Sequence, residues 1–138
     1  MKIDEYPQKV YINFVKALEG DRQKFDELIE DGYPEWAAFS HALQGDERAT
    51  MFLLKRSTLP VLGVLANGMN DEEGAMNWLK KNKNPLYYAF CQASKKDEDA
   101  RKWLESNDCL VFVMMAEKIY DIMKIRIKRE VFWYHGWR

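Results

Sequence analysis

The chain has 138 residues, of which 47% are apolar, 14% aromatic and 31% charged, with 7 glycines and 4 prolines. This balance excludes the disordered and collagen-like classes, and it supplies enough apolar material for one domain that buries roughly two thirds of its unfolded surface. The net charge is -1, but it is unevenly spread: Lys124, Arg126, Lys128, Arg129 and Arg138 face only Glu130 in the last 15 residues, leaving an acidic body ahead of a basic end.

The opening stretch MKIDEYPQK carries acids among its first residues and no apolar core, so no secretion signal is expected there. An opening helix is expected from Pro7 to Glu19. It is followed by Gly20-Asp21, the first of four similar junctions: Gly45-Asp46, Asn70-Asp71 and Lys96-Asp97 recur at steps of about 25 residues. A glycine just past a helix end takes the left-handed conformation that stops the helix, and an aspartate beside it accepts backbone N–H bonds as the cap of the next. Each junction is therefore expected to be a helix-to-helix turn, with Asp21, Asp46, Asp71 and Asp97 as caps. The acid clusters at residues 71–73 and 97–99 are read as helix starts rather than metal ligands, since acids are favoured there by the helix dipole.

Shifting the chain by 51 residues superimposes Pro34, Ala38, Phe39, Ala42, Asp46, Glu47, Ala49 and Leu53 on identical residues. Chance alone provides roughly one such identity in a window of this size. Leu28, Leu53, Leu79 and Leu104 follow the junctions, and Phe14, Phe39 and Phe90 precede them by seven residues. The third unit departs from the pattern, with one extra residue between Asp71 and Ala75 and no upstream Phe. Pro34, Pro60 and Pro85 stand where a new helix opens, because proline fits the first helical turn. Each unit is thus two short helices, too short to persist alone in water, that must stack on their neighbours.

The expected fold is all-α: tandem helix-turn-helix units at about 8–30, 31–57, 58–83 and 84–108, forming a compact α-solenoid-like array. A longer closing helix from Leu110 to about Lys128 and an aromatic tail, together 109–138, complete the single domain of residues 1–138. The longest apolar run, Cys109 to Ala116, is far too short to cross a bilayer. Cys91 and Cys109 form no CxxC and are expected to be reduced and buried, as in a cytoplasmic protein.

The series Pro34, Ala38, Gly45, Asp46, Phe52, Leu53 resembles the helix pair of ankyrin repeats, and Ala75, Trp78, Leu79 resembles tetratricopeptide-type arrays. The likeness implies a helical-repeat scaffold, whose usual role is protein binding, although the unit is shorter than in either family and no TPLH stretch occurs.

Candidate functional residues are few. On the helix from Pro34, helical spacing turns Trp36, Ala38, Phe39, Ala42 and Leu43 inward and leaves His41 and Ala37 outward. On the equivalent helix from Pro85, Tyr88 and Gln92 are expected outward, so His41, Tyr88 and Gln92 are expected to share an outer face. Neither His41 nor His135 sits in a zinc-binding spacing, and residues 67–78 fail as a calcium loop because Trp78 stands where a glutamate is needed. No phosphate-cradling or nucleophile-elbow motif occurs. The expectation is accordingly no catalysis, no cofactor and no metal, and a protein partner.

The tail KIRIKREVFWYHGWR interleaves Lys128 and Arg129 with Trp133, Tyr134 and Trp137. It is expected either to fold back and cap the last repeat or to meet a partner protein. The alternative is that it binds nucleic acid or an anionic membrane surface, and the acidic body disfavours nucleic acid.

Overall fold

The computed structural model describes residues 1–131. Among these the chain is entirely helical: α1 (Gln8–Leu18), α2 (Arg22–Glu30), α3 (Pro34–Ala42), α4 (Glu47–Lys55), α5 (Pro60–Met69), α6 (Glu73–Lys81), α7 (Pro85–Ala93), α8 (Glu98–Ser106) and the longer α9 (Leu110–Val131). Pro34, Pro60 and Pro85 open α3, α5 and α7 as expected.

All four junctions share one hydrogen-bonded turn. The Asp46 N–H donates to His41 O (3.2 Å) and the Gly45 N–H to Ala42 O (3.1 Å), and the same two bonds recur from Asp21 and Gly20, from Glu72 and Asp71, and from Asp97 and Lys96. This closes the ends of α1, α3, α5 and α7 with a left-handed residue: Gly20, Gly45, Asp71 and Lys96 all have positive φ. The next side chain caps the following helix. Asp46 Oδ1 accepts from the Arg48 and Ala49 amides at 3.0 and 3.2 Å, and Asp97 Oδ1 does so from Asp99 and Ala100.

The third junction corrects the expected capping. Asp71 is not the cap: it occupies the left-handed position at φ 66°, and Glu72 caps α6 through the Gly74 and Ala75 amides at 2.9 and 2.8 Å. Aspartate tolerates that backbone region better than most residues, so the turn slides by one position. With Glu72 as the cap the extra residue disappears. Leu65 then takes the place of Phe14, Phe39 and Phe90, and all four are fully buried. Gly68 takes the place of Ala17, Ala42 and Ala93. A Cβ there would sit 2.8 Å from Leu79 Cδ1 and 3.2 Å from Cys91 Sγ, so the tight packing of α5 on α6 and α7 requires glycine.

The helices form two layers. The odd-numbered helices pack on one another in the order α1, α3, α5, α7, α9, whereas α2, α4, α6 and α8 touch only their chain neighbours. Since α9 also packs on α1, the inner layer is a closed circuit. Its centre is aromatic: Phe14 stacks on Phe39 at 5.1 Å, Phe39 meets Phe90 at 6.5 Å, and Phe112 of α9 meets both Phe90 (5.0 Å) and Tyr11 (5.6 Å). Each such ring contributes about 1.5–3 kcal/mol through burial, which is what holds helices this short in place. Leu28, Leu53, Leu79 and Leu104 lock the outer helices onto this layer, each at most 1% exposed. The Tyr11 hydroxyl donates to Ile3 O (2.6 Å) and accepts from the Tyr6 amide (3.1 Å), tying the N-terminal segment to α1.

A cationic groove at the turn rim

The four junctions lie at the C-terminal ends of the inner helices, and the second half of α9 reaches the second, third and fourth. Arg126 fixes this arrangement. Its Nη1 donates to Leu43 O (3.2 Å), a carbonyl left unpaired at the end of α3, and to Asn70 Oδ1 (2.7 Å) in the third turn. A cation at a helix C-terminus is favoured by the helix dipole. The guanidinium also lies 2.9 Å from where a Gly45 Cβ would stand, so Gly45 both turns the chain at φ 92° and admits Arg126.

Side chains two positions before three of the caps latch the turns to one another or to α9. Gln44 Nε2 donates to Leu18 O (3.2 Å), Asn70 accepts from Arg126, and Lys95 Nζ pairs with Asp71 Oδ1 at 2.7 Å. Between the third turn, the fourth turn and α9 this leaves a cavity of about 670 Å³. Met69, Met123 and Ile127 give it an apolar floor, Tyr120 one wall, and Lys95, Lys124, Arg126 and Lys128 a cationic rim against Asp71, the one carboxylate among the described lining residues. Tyr120, Met123, Lys124, Ile127 and Lys128 follow one another at i, i+3, i+4, i+7 and i+8, one stripe of α9. Lys124 and Lys128 are exposed and have no carboxylate partner among the described residues. The Lys96 and Lys124 ammonium groups lie 4.9 and 5.9 Å from the Tyr120 ring centre.

Among the described residues the lining contains no imidazole and no thiol. Among them its one hydroxyl outside Tyr120 is Ser94 Oγ, which donates to Cys91 O at 2.6 Å. The chemistry available is charge attraction combined with apolar contact. Among the described residues no cluster of three or more His, Cys, Asp or Glu is placed to hold a metal ion, and no helix is long and apolar enough to cross a membrane.

Of the residues singled out in the sequence, Lys128 lines this groove and Arg129 is exposed beside it. His41 is exposed and stacks on Phe25 at 4.4 Å, beside a separate cavity of about 350 Å³ between the first two turns. Its Nδ1 lies 3.7 Å from Asp46 Oδ2, a carboxylate whose other oxygen caps α4. Gln92 holds the repeat position equivalent to His41, five before the cap, but is half-buried with its Oε1 enclosed and unpartnered. Tyr88 is half-buried against the core, and Ala37 is buried at 1% exposure instead of facing out. The reason is that α3 and α7 are inner helices enclosed by neighbours on most sides, so a single inward arc underestimates their burial. Neither Tyr88 nor Gln92 joins His41 in its cavity. Trp133, Tyr134 and Trp137, with the cap reading of the tail, lie outside the described residues.

Cys91 is fully buried and Cys109 half-buried, both as free thiols. Burial pushes the Cys91 thiol up to about 11, opposed only partly by Lys95, and Cys109 is raised by burial first and then by Asp4 and Asp108. Neither thiol is activated for nucleophilic attack.

Comparison of the chain with models of protein families, with curated proteins and with solved structures returned no match.

Proposed function

We propose that this chain is a non-catalytic binding module of the cytoplasm that holds a protein partner in the groove between α9 and the third and fourth turns. The observation that carries this reading is the stripe from Tyr120 to Lys128. The same helix that seals the core continues as a mixed apolar and cationic face that no other described residue covers, above a cavity of about 670 Å³, within the size range of ligand sites. The likeness of the helix pairs to ankyrin and tetratricopeptide units supports it, since those scaffolds present side chains at turns and grooves to other proteins. Both cysteines are free thiols whose pKa is raised by burial, which agrees with a structural role.

Filling the groove is the direct test. Ile127 lines the groove and is 58% exposed, so Ile127→Trp fills part of the cavity without disturbing the core. Parallel affinity purifications with the wild type and this variant should yield a protein retained by the first and lost from the second. Identical sets of retained proteins from both, or turnover of a metabolite abolished by the same variant, would overturn the reading.

A further inference from the structure

We propose that the occupant of the groove is an acidic protein segment carrying at least one bulky apolar side chain, an inference that rests on the groove being the binding site. Among the described residues four cations line it against one carboxylate, and that carboxylate, Asp71, is already held by Lys95 at 2.7 Å. Lys124 and Lys128 stand one helical turn apart on its open side with no acidic partner among the described residues. The first 123 residues are acidic overall, so a negatively charged segment is repelled by most of the surface and steered to this rim.

The floor decides what else the segment carries. Met69, Met123 and Ile127 offer an apolar seat, and the thioethers let it adapt to rings and branched side chains alike. A ligand that supplied only charge would leave this seat wet. Nucleic acid fits less well, because Tyr120 is the one aromatic ring among the described residues of the lining and two ammonium groups already lie over or near it, leaving no row of faces for stacked bases among them. The surface is also concave, set between two turns and a helix, whereas a membrane-binding face presents its apolar side chains outward on a convex or flat surface.

The experiment is a selection from a displayed library of random short peptides against the immobilised full chain. The enriched peptides are then measured by fluorescence anisotropy with the wild type, Ile127→Trp and the double variant Lys124→Glu/Lys128→Glu, and a single-stranded oligonucleotide is measured alongside. Both lysines are exposed, so a melting curve matching the wild type verifies that the double variant folds. The expected result is a consensus with net negative charge and an apolar residue, with affinity that falls as salt is added. Charge reversal should weaken it about tenfold or more, and Ile127→Trp should weaken it further. A neutral or basic consensus that still loses binding in Ile127→Trp would sink the acidic chemistry and keep the groove. A consensus indifferent to both variants would sink the groove itself. No enrichment, or an oligonucleotide bound more tightly than every peptide in a way that charge reversal abolishes, would overturn the proposal.

Discussion

The two halves of α9 use the same helical spacing for opposite ends. In the first half Phe112, Met115, Ala116 and Ile119 recur at i, i+3, i+4 and i+7, and each is at most 2% exposed, packed against α1, α7 and α8. In the second half Tyr120, Met123, Lys124, Ile127 and Lys128 continue the spacing, yet Ile127 is 58% exposed and the stripe stands over an open cavity. The difference lies in what faces each half. The first meets inner helices, and the second meets turns, where Arg126 takes up the Leu43 carbonyl and the Asn70 side chain. One helix thus closes the fold and then continues as a stripe above a cavity.

Cutting into the first half should have the largest effect. Phe112→Ala removes a ring that contacts both Tyr11 and Phe90, and a loss of about 3–5 kcal/mol in urea denaturation is expected. A loss below about 1 kcal/mol would mean that α9 does not complete the core. The buried side of the molecule should also show in its pH dependence. Below pH 9 the Cys91 thiol keeps its proton in folded and unfolded states alike. Above it the unfolded chain releases the proton while the folded chain holds it until about 11, so stability falls across that window. At about 1.4 kcal/mol per pH unit, the wild type should lose about 2–3 kcal/mol more than Cys91→Ala between pH 9 and 11. Parallel profiles would show that the thiol is not buried as described.

The hinge between the two halves is tested by Arg126. Arg126→Ala should cost about 1–2 kcal/mol, because Leu43 O and Asn70 lose a charged donor at a partly solvated site. Gly45→Ala should cost a similar amount through its positive φ and its crowding of the guanidinium. The two changes should not add, since removing Arg126 relieves part of the crowding. Strict additivity in thermal melts would contradict the contact. The smallest effect belongs to the second half: Ile127→Ala should shift stability by less than about 0.5 kcal/mol while weakening any ligand of the groove.

Much of the fold was legible because it is local. Gly20-Asp21 and Gly45-Asp46 announce a left-handed stop and a cap in adjacent letters, and the leucine seven residues after each cap marks the buried stripe. The third turn was misread by one position, because Asp71 is chemically able to cap and Glu72 caps less often. Only the backbone φ and the bonds to Gly74 and Ala75 distinguish them. The groove was not legible as a site. Its walls come from residues 69–71, 94–95 and 120–128, brought together by the return of α9 to the turn rim, which no spacing within one repeat encodes. Lys124, Arg126 and Lys128 stood out as charge, but the stripe that joins Lys124 and Lys128 to Tyr120, Met123 and Ile127 acquires meaning only when the cavity beneath it is seen. Tyr88 and Gln92 were misleading for the complementary reason: an inner helix of a closed array has little free surface to offer.

The central claim is that the second half of α9 and the turns beside it form the binding surface. It is tested most directly by titrating a selected peptide into isotope-labelled protein and following the backbone amide resonances. Shifts concentrated at residues 69–71, 94–95 and 120–128, with α2, α4 and α6 unmoved, are the result this account predicts. Shifts centred on those outer helices, with residues 120–128 silent, would contradict it.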